Sequence, residues 1–481
     1  MIATEANALV PGEFHEFEGA GKRFLYLVPA GAIFEVDEMT SVVLSELSHG
    51  GVTREELTNR LAARGLTVED ATELIDELAL SRVIVLGEPV HEQLEEPPAD
   101  FPLQSLVMNL TNQCNLSCTY CYEFGEDKVA TPEGKKKFMD IETAQASVDF
   151  LLNQSEGRKA VHITFFGGET LMNFPLLKQV VAYATEQAKS QGRGIDFSLT
   201  TNATLLTPAS IEFLSDNNIG VTVSMDGPPE FQDKFRVFSN GRGSYDIVAP
   251  KVKALIAGHK TRPITARVTL TNGVTDVIRI YRHLKEELGF HEVGFAPVTT
   301  SEDRLYTIGE VGMHGVLGQF NELAKEYLEF ALRGEMHGFS NVSDTIAELY
   351  QGVNKSHPCG AGLGLMGVGP SGDIAPCHRF VDSDEHSLGN IATGVDREKQ
   401  KSFLSKGHVN AKYECQTCFA RPLCAGGCHH EAFVRYGDTG HPNLHYCDWI
   451  REWTDTCLQI FGAISANNPG FLETFAQRKG L

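Results

Sequence analysis

The chain of 481 residues has no run of about 18 or more apolar residues, and its first thirty residues lack a cationic start followed by an apolar segment. Those absences exclude a helical membrane span and a secretory signal, so a cytoplasmic protein with no membrane partner is expected. Positive charge is scarce as well, with 41 Lys and Arg against 63 Asp and Glu and a net charge of −22. Nucleic acid is not an expected partner, because phosphate binding needs concentrated Lys and Arg. Disulfides are not expected in a reducing compartment, yet eleven cysteines are present, bunched at 114–121 and 359–457. Bunching of that kind points to metal. The length is too great for one ordinary core and calls for about two to four domains.

The densest cysteine group itself lacks a member. Cys114, Cys118 and Cys121 form a Cys-x3-Cys-x2-Cys loop within Thr111–Tyr122, with no fourth cysteine beside them. Three thiolates so spaced can hold three irons of a 4Fe–4S cube and leave one iron open. An open iron can bind S-adenosylmethionine through its amino and carboxylate groups and pass an electron into the sulfonium, breaking a carbon–sulfur bond to give a carbon radical. The competing reading is a structural zinc loop, which normally takes four ligands from paired motifs.

The acidic stretch His91 to Asp100 carries a Pro-Pro pair and marks an exposed linker over 91–102. Ahead of it, 1–90 has strand-like runs at Phe24–Val28 and Ala32–Val36, a capping box of Thr53 and Glu56, a second helix start at Thr67 and Asp70, and a closing strand at Arg82–Leu86. This order fits a winged helix. Six Lys or Arg against sixteen Asp or Glu in 1–90 would repel a DNA duplex, which disfavours a transcription regulator. Exposed strand edges in such a domain can instead take up a peptide by strand addition.

From 103 to 300, strands at Ser105–Leu110, Val161–Phe166, Asp196–Thr200, Gly220–Met225, Ile264–Leu270 and Glu292–Phe295 alternate with amphipathic helices. Six such units imply an α/β fold with a parallel sheet, curved into a partial (β/α)6 barrel whose reactive groups gather at the carboxyl ends of the strands. The cysteine loop follows the first strand. Phe166-Gly167-Gly168-Glu169 ends the second, Thr201-Asn202 the third and Ser224-Met225-Asp226-Gly227 the fourth, each bringing polar groups or close backbone to the same mouth. A bridging helical region at 301–358, a cysteine-rich domain at 359–460 and a tail at 461–481 complete the division. The cysteine-rich domain runs Cys359, Cys377, then Cys415-x2-Cys418-x5-Cys424-x3-Cys428, and Cys447. From spacing alone, zinc ribbons remain open there.

The segment 103–300, with its three-cysteine loop and Gly-Gly-Glu turn, resembles the radical S-adenosylmethionine enzymes. That resemblance implies a catalytic 4Fe–4S cluster on Cys114, Cys118 and Cys121. It also implies S-adenosylmethionine contacts at Tyr120, Gly167, Gly168, Glu169, Asn202 and Ser224. The later cysteines resemble the SPASM domain of peptide-modifying radical enzymes, which carries two auxiliary 4Fe–4S clusters. By position, Cys415, Cys418, Cys424 and Cys447 would complete one, while Cys359, Cys377 and Cys428 hold the other, with His357, Cys457 or a substrate thiolate as its fourth ligand.

The three-block layout and the run Cys114 to Asp127 look most like the maturation proteins of quinohemoprotein amine dehydrogenase. That resemblance implies thioether bonds between Cys sulfur and side-chain methylenes of Asp or Glu. The substrate would be a small Cys-rich polypeptide with a leader segment, and the electron donor a flavodoxin or ferredoxin. Asp226, Asp233 and His378 are the candidates for a base or a substrate-orienting group. Sulfatase-maturing relatives typically carry an acid where His378 stands, and formylglycine formation is the alternative activity. A non-enzymatic zinc scaffold is the alternative from another class.

Overall fold

The computed structural model describes residues 8–48, 50–87, 93–98, 100–131 and 133–476. Its centre is a sheet in which Ser105–Asn109, Ala160–Phe166, Gly194–Thr201, Gly220–Ser224, Ile264–Leu270 and Glu292–Pro297 lie side by side, all parallel. Val, Ile, Leu and Phe fill these strands because helices cover the outer face, as a parallel sheet requires. Helices such as Ile141–Gln154 and Phe174–Ser190 bury Val148, Leu151, Leu177 and Val181 against it. The expected α/β radical SAM fold is the observed one.

The sheet does not stop at the barrel. Leu365–Val368, in the cysteine-rich region, pairs in parallel with Ser105–Asn109, and Asp373–Ala375, Gly389–Asn390 and Gly394–Val395 extend the sheet antiparallel to ten strands. No strand was expected there, because four apolar or small residues among glycines give too short a signal. Gly367 is the enabling residue. A Cβ on it would lie 2.7 Å from the carbonyl carbon of Cys377, so the Cys377-His378 backbone can cross this strand only over glycine.

The front region forms an antiparallel sheet of Phe14–Gly19, Lys22–Leu27 and Ala32–Glu35, then three helices and the strand Ile84–Leu86, which pairs with Leu9–Pro11. Thr53 and Glu56 make the expected capping box, and Thr67 caps the next helix. Strand Lys22–Leu27 is buried on both faces: Leu25 and Leu27 join a local core, while Phe24 and Tyr26 pack into the main core with Phe461 and Ile464. Those two belong to the helix Cys447–Asn467, which runs through the boundary drawn at residue 460, so the tail expected from 461 begins inside a core helix. The front sheet is further tied to the cysteine-rich region by the bidentate Arg421–Glu13 ion pair and by His15, which stacks on Phe419 at 3.8 Å and bonds Asp455 at 2.6 Å.

The linker is less free than its composition suggests. Leu94 exchanges hydrogen bonds with the Asn410 side chain, its N–H donating over 3.3 Å and its carbonyl accepting over 2.8 Å. His91, Glu92 and Ala99 of that stretch lie outside the described residues. Among the described residues, no helix is long and apolar enough to cross a membrane.

At the end of the barrel away from the cysteine loop, Asp196 accepts from His162 at 3.1 Å and from both ends of the Arg262 guanidinium. Burial opposes its ionisation, but His162 and Arg262 together outweigh it and bring Asp196 down to about 2. Stability from a depressed carboxylate is complete above its ordinary value near about 4 and is lost as pH falls through the folded value. Asp196→Asn should therefore cost about 1–2 kcal/mol at pH 7 in urea unfolding, and the gap to the natural protein should close as pH falls from about 4 towards 2.

Candidate active site

The barrel mouth is built on a backbone contact. Gly167 has a φ of +127°, and a Cβ there would lie 2.2 Å from the Thr111 carbonyl oxygen; one on Gly168 would lie 2.2 Å from the Gln113 carbonyl oxygen and 3.0 Å from Cys114 N. Only glycine permits that approach. Gly168 N then donates to Thr111 O and Glu169 N to Gln113 O, both at 2.9 Å. The glycines were expected to let a ligand come close; they line the cavity, and they also let the cysteine loop seat on the second strand.

N–H groups converge on the loop sulfurs. Cys114 Sγ accepts from Leu116 N at 3.4 Å and from the Asn202 amide at 3.7 Å, Cys118 from the Arg236 guanidinium, and Cys121 from the backbone of Glu123 and Phe124. Burial pushes the Cys114 and Cys121 thiols up to about 12. A metal reverses that penalty by deprotonating its thiol ligands, and N–H donors suit the resulting sulfur charge, so the donor set fits an iron–sulfur cluster. Among the described residues no three Cys, His, Asp or Glu side chains converge on a single-ion site. Zinc needs all its ligands about 2.3 Å from one ion, whereas a cube takes each thiolate on its own iron.

Beside the loop lies a cavity of about 440 Å³, lined by all three cysteines together with Tyr120, Glu169, Asn202 and Ser224, which the sequence singled out. Glu169 is fully buried, and burial raises its pKa; its carboxylate accepts from Leu171 N at 3.1 Å, Thr201 Oγ1 at 2.6 Å and Asn202 N at 2.8 Å. Asn202 is thus committed to Glu169 through its backbone and to Cys114 through its side chain. Tyr120 packs edge-on against Phe235 and donates its hydroxyl to Asp226.

Two of the three candidate bases are structural. Asp226 is buried, and its carboxylate is consumed by Tyr120, by Arg236 Nε at 2.9 Å and by Thr269 N at 2.9 Å. Asp233 accepts from Tyr245 N at 2.8 Å, holding the first turn of the helix Tyr245–Gly258, and does not line the cavity. Asp226, with three donors on its carboxylate, is a brace rather than a base, and Asp233 is set aside by its position outside the cavity. His378 does line the cavity, with its ring 4.4 Å from that of Phe166; burial first, and the Arg379 charge second, pull its pKa down to about 3 and keep it neutral. Arg236, which joins Asp226 to Cys118, was not legible, because its ten-residue separation from Asp226 matches no helical or strand period. Glu123, Arg267 and Arg379 also reach the cavity without a sequence signal, and burial pushes Glu123 up to about 8.

The later cysteines influence one another electrostatically in two sets. Cys377 senses the charge of Cys359 and Cys428, whereas Cys415 and Cys447 sense Cys418 and Cys424. Neither proposed extra ligand of the first group is available. His357 is buried with Nε2 on Leu404 O at 2.8 Å and Nδ1 on Ser356 Oγ at 3.0 Å, and Cys457 is a fully buried thiol in the main core. A second cavity of about 420 Å³ shares Pro297 and Val298 with the first and is walled by His445, Tyr446 and Trp449.

Residues 108–285 match the Radical SAM superfamily. The chain is 29% identical over 369 residues, 72% of its length and 86% of the relative's, to a serine-type anaerobic sulfatase-maturating enzyme of Bacteroides thetaiotaomicron. It is 24% identical over 366 residues, 73% of its length and 94% of the relative's, to a cysteine-type anaerobic sulfatase-maturating enzyme of Clostridium novyi. Among solved structures, native anSMEcpe with bound AdoMet and Cp18Cys peptide superposes with a TM-score of 0.61 at 22% identity, covering 79% of this chain and all of that one, a likeness of fold. These relatives overturn the expected thioether-forming, quinohemoprotein-type activity: the loop run Cys114 to Asp127 is a local resemblance, while the sulfatase-maturating likeness extends over 72% and 73% of the chain.

Gly168→Ala should displace the cysteine loop and lose about four irons per chain, one cube's worth, in anaerobically reconstituted protein. Gly134→Ala, at a positive φ with open space around it, should keep its iron.

Proposed function

We propose that this protein is a radical SAM maturase that oxidises a cysteine or serine side chain of a substrate polypeptide to formylglycine. The observation that carries this reading is the likeness to both serine-type and cysteine-type sulfatase-maturating enzymes over nearly three quarters of the chain, 72% and 73%. The two groups of later cysteines support two auxiliary clusters, and the second cavity, continuous with the first at Pro297 and Val298, supports a substrate larger than a metabolite. The clusters would supply one electron to S-adenosylmethionine, whose cleavage gives the hydrogen-abstracting radical, and would accept one electron back from the substrate.

The oxidation removes two electrons from the substrate side chain. A hydrogen atom leaves Cβ, a proton leaves the sulfur or oxygen, and one further electron departs; serine thereby becomes the aldehyde directly, whereas cysteine becomes a thioaldehyde whose sulfur water replaces with oxygen, releasing hydrogen sulfide. The chain must hold Cβ at one place, because so reactive a radical is selective only through position. Phe166 and the Gly167-Gly168 backbone wall one side of the cavity, and His378 stands against Phe166. His378 is neutral and its ring makes no hydrogen bond among the described residues, so its imidazole lone pair is free to take the proton. It occupies the position where the relatives' acid was expected, directly after Cys377. Arg379 donates to Thr299 Oγ1 at 2.9 Å and lies over the Tyr122 ring, which steadies the turn that carries His378. Glu169, bonded to Thr201 and Asn202 at the strand ends, would with them hold the amino-acid end of S-adenosylmethionine.

Reduced enzyme incubated with Cys- and Ser-containing peptides should yield products whose masses report formylglycine, with sulfur lost from the Cys peptide. Products that retain sulfur would rule this reading out. His378→Ala should cut product formation about 10²–10⁴-fold while 5′-deoxyadenosine is still released; equal loss of both would make His378 a structural residue.

A further inference from the structure

Lys412 is an unusual lysine. It is 2% exposed in a region whose other buried groups are mainly thiols, imidazoles and apolar side chains. Among the described residues its side chain makes one hydrogen bond, from Nζ to Ala425 O at 2.9 Å, and no carboxylate lies within ion-pair distance of it. The surrounding chain is shaped to receive it. Gly426 has a φ of +88°, and a Cβ there would lie 2.6 Å from Nζ and 2.5 Å from Cδ, so glycine leaves the space that the ammonium group fills. Cys415 N donates to Lys412 O at 3.0 Å, and Ala425 and Gly426 sit between Cys424 and Cys428, which belong to different thiol groups. Burial lowers the Lys412 pKa, while Cys415 and Cys424 of one group and Cys359 and Cys428 of the other draw it back up. The effect is mutual, since Lys412 favours the thiolate at Cys359, Cys415 and Cys424. By contrast, nearby Lys355 has a carboxylate of its own, Glu348, at 2.6 Å.

An unpaired buried ammonium costs several kcal/mol unless negative charge faces it. The protein's own carboxylates do not supply that charge; the two thiol groups do. We propose that Lys412 is a fixed positive charge shared by both auxiliary cluster sites, a positioning residue that raises the reduction potential of each and so favours their taking an electron. This rests on the reading of the two thiol groups as cluster sites. The physical basis is that each added electron makes a cluster more negative, and a cation in a low-dielectric interior stabilises the reduced form of both neighbours at once.

The test is an anaerobic redox titration of the full-length, iron-loaded protein followed by electron paramagnetic resonance. Lys412→Gln removes the charge and keeps a donor for Ala425 O, whereas Lys412→Arg keeps the charge. The expected result is that both auxiliary signals move to more negative potential in Lys412→Gln, stay near their natural values in Lys412→Arg, and that the signal of the Cys114, Cys118 and Cys121 cluster does not move in either. Unchanged auxiliary potentials in fully loaded Lys412→Gln, or a shift confined to one cluster, would overturn the proposal. Loss of auxiliary iron from Lys412→Gln would assign Lys412 to assembly or packing and overturn it as well. Natural protein that binds only about four irons would instead remove the auxiliary-cluster reading itself, and the tuning role with it.

Discussion

The site depends on one close approach, that of the Gly167-Gly168 backbone to Thr111, Gln113 and Cys114. A radical-generating loop cannot be held by its own sequence, because three cysteines in eight residues offer little apolar surface to bury. It is held by two backbone hydrogen bonds across to the second strand, and these form only because no Cβ intervenes. From that contact the rest is set in turn. Glu169 is drawn under the loop and binds Thr201 and Asn202, and Asn202 reaches back to Cys114. On the far side of the loop, Asp226 and Arg236 carry the same network to Tyr120 and Cys118. The polar groups at successive strand ends are therefore links in one brace around the cysteines as much as contacts for a cofactor.

The second constraint is the extension of the barrel sheet by Leu365–Val368. A parallel strand added to the Ser105–Asn109 edge covers what would otherwise be an open row of backbone groups, and it carries the Cys377-His378 turn to the cavity across Gly367. Asn112 donates to Asp382 at 3.2 Å, and Lys135 pairs with Asp373 at 2.8 Å, so the cysteine loop's flanks and the cysteine-rich region are fastened on both sides of the cavity. The barrel mouth and the cysteine-rich region are thereby joined by one continuous sheet.

Much of this was legible in the sequence where the signal is local and periodic. The six parallel strands followed from their apolar runs, and the helix caps at Thr53 and Thr67 from residues three apart. What was not legible depends on contacts between distant segments. Asp226 and Asp233 looked like free carboxylates because nothing nearby in sequence reveals Arg236 wrapped onto the one or the Tyr245 backbone onto the other. Leu365–Val368 was too short to show a period, and the continuation of the Cys447–Asn467 helix past residue 460 followed from its burial against Phe24, a partner more than four hundred residues away. The activity was misread for a related reason: a fourteen-residue resemblance around the loop weighed more than the His378 departure alone could balance, and only similarity along most of the chain corrected it.

The account's central claim is that Cys114, Cys118 and Cys121 form a cluster site open to S-adenosylmethionine. The most direct measurement is 5′-deoxyadenosine released by the anaerobically reconstituted, reduced protein, compared with Cys118→Ala at matched auxiliary iron. The account predicts steady release by the natural protein and none by the variant. A fully loaded natural protein that releases none, or a variant that releases as much, would contradict it.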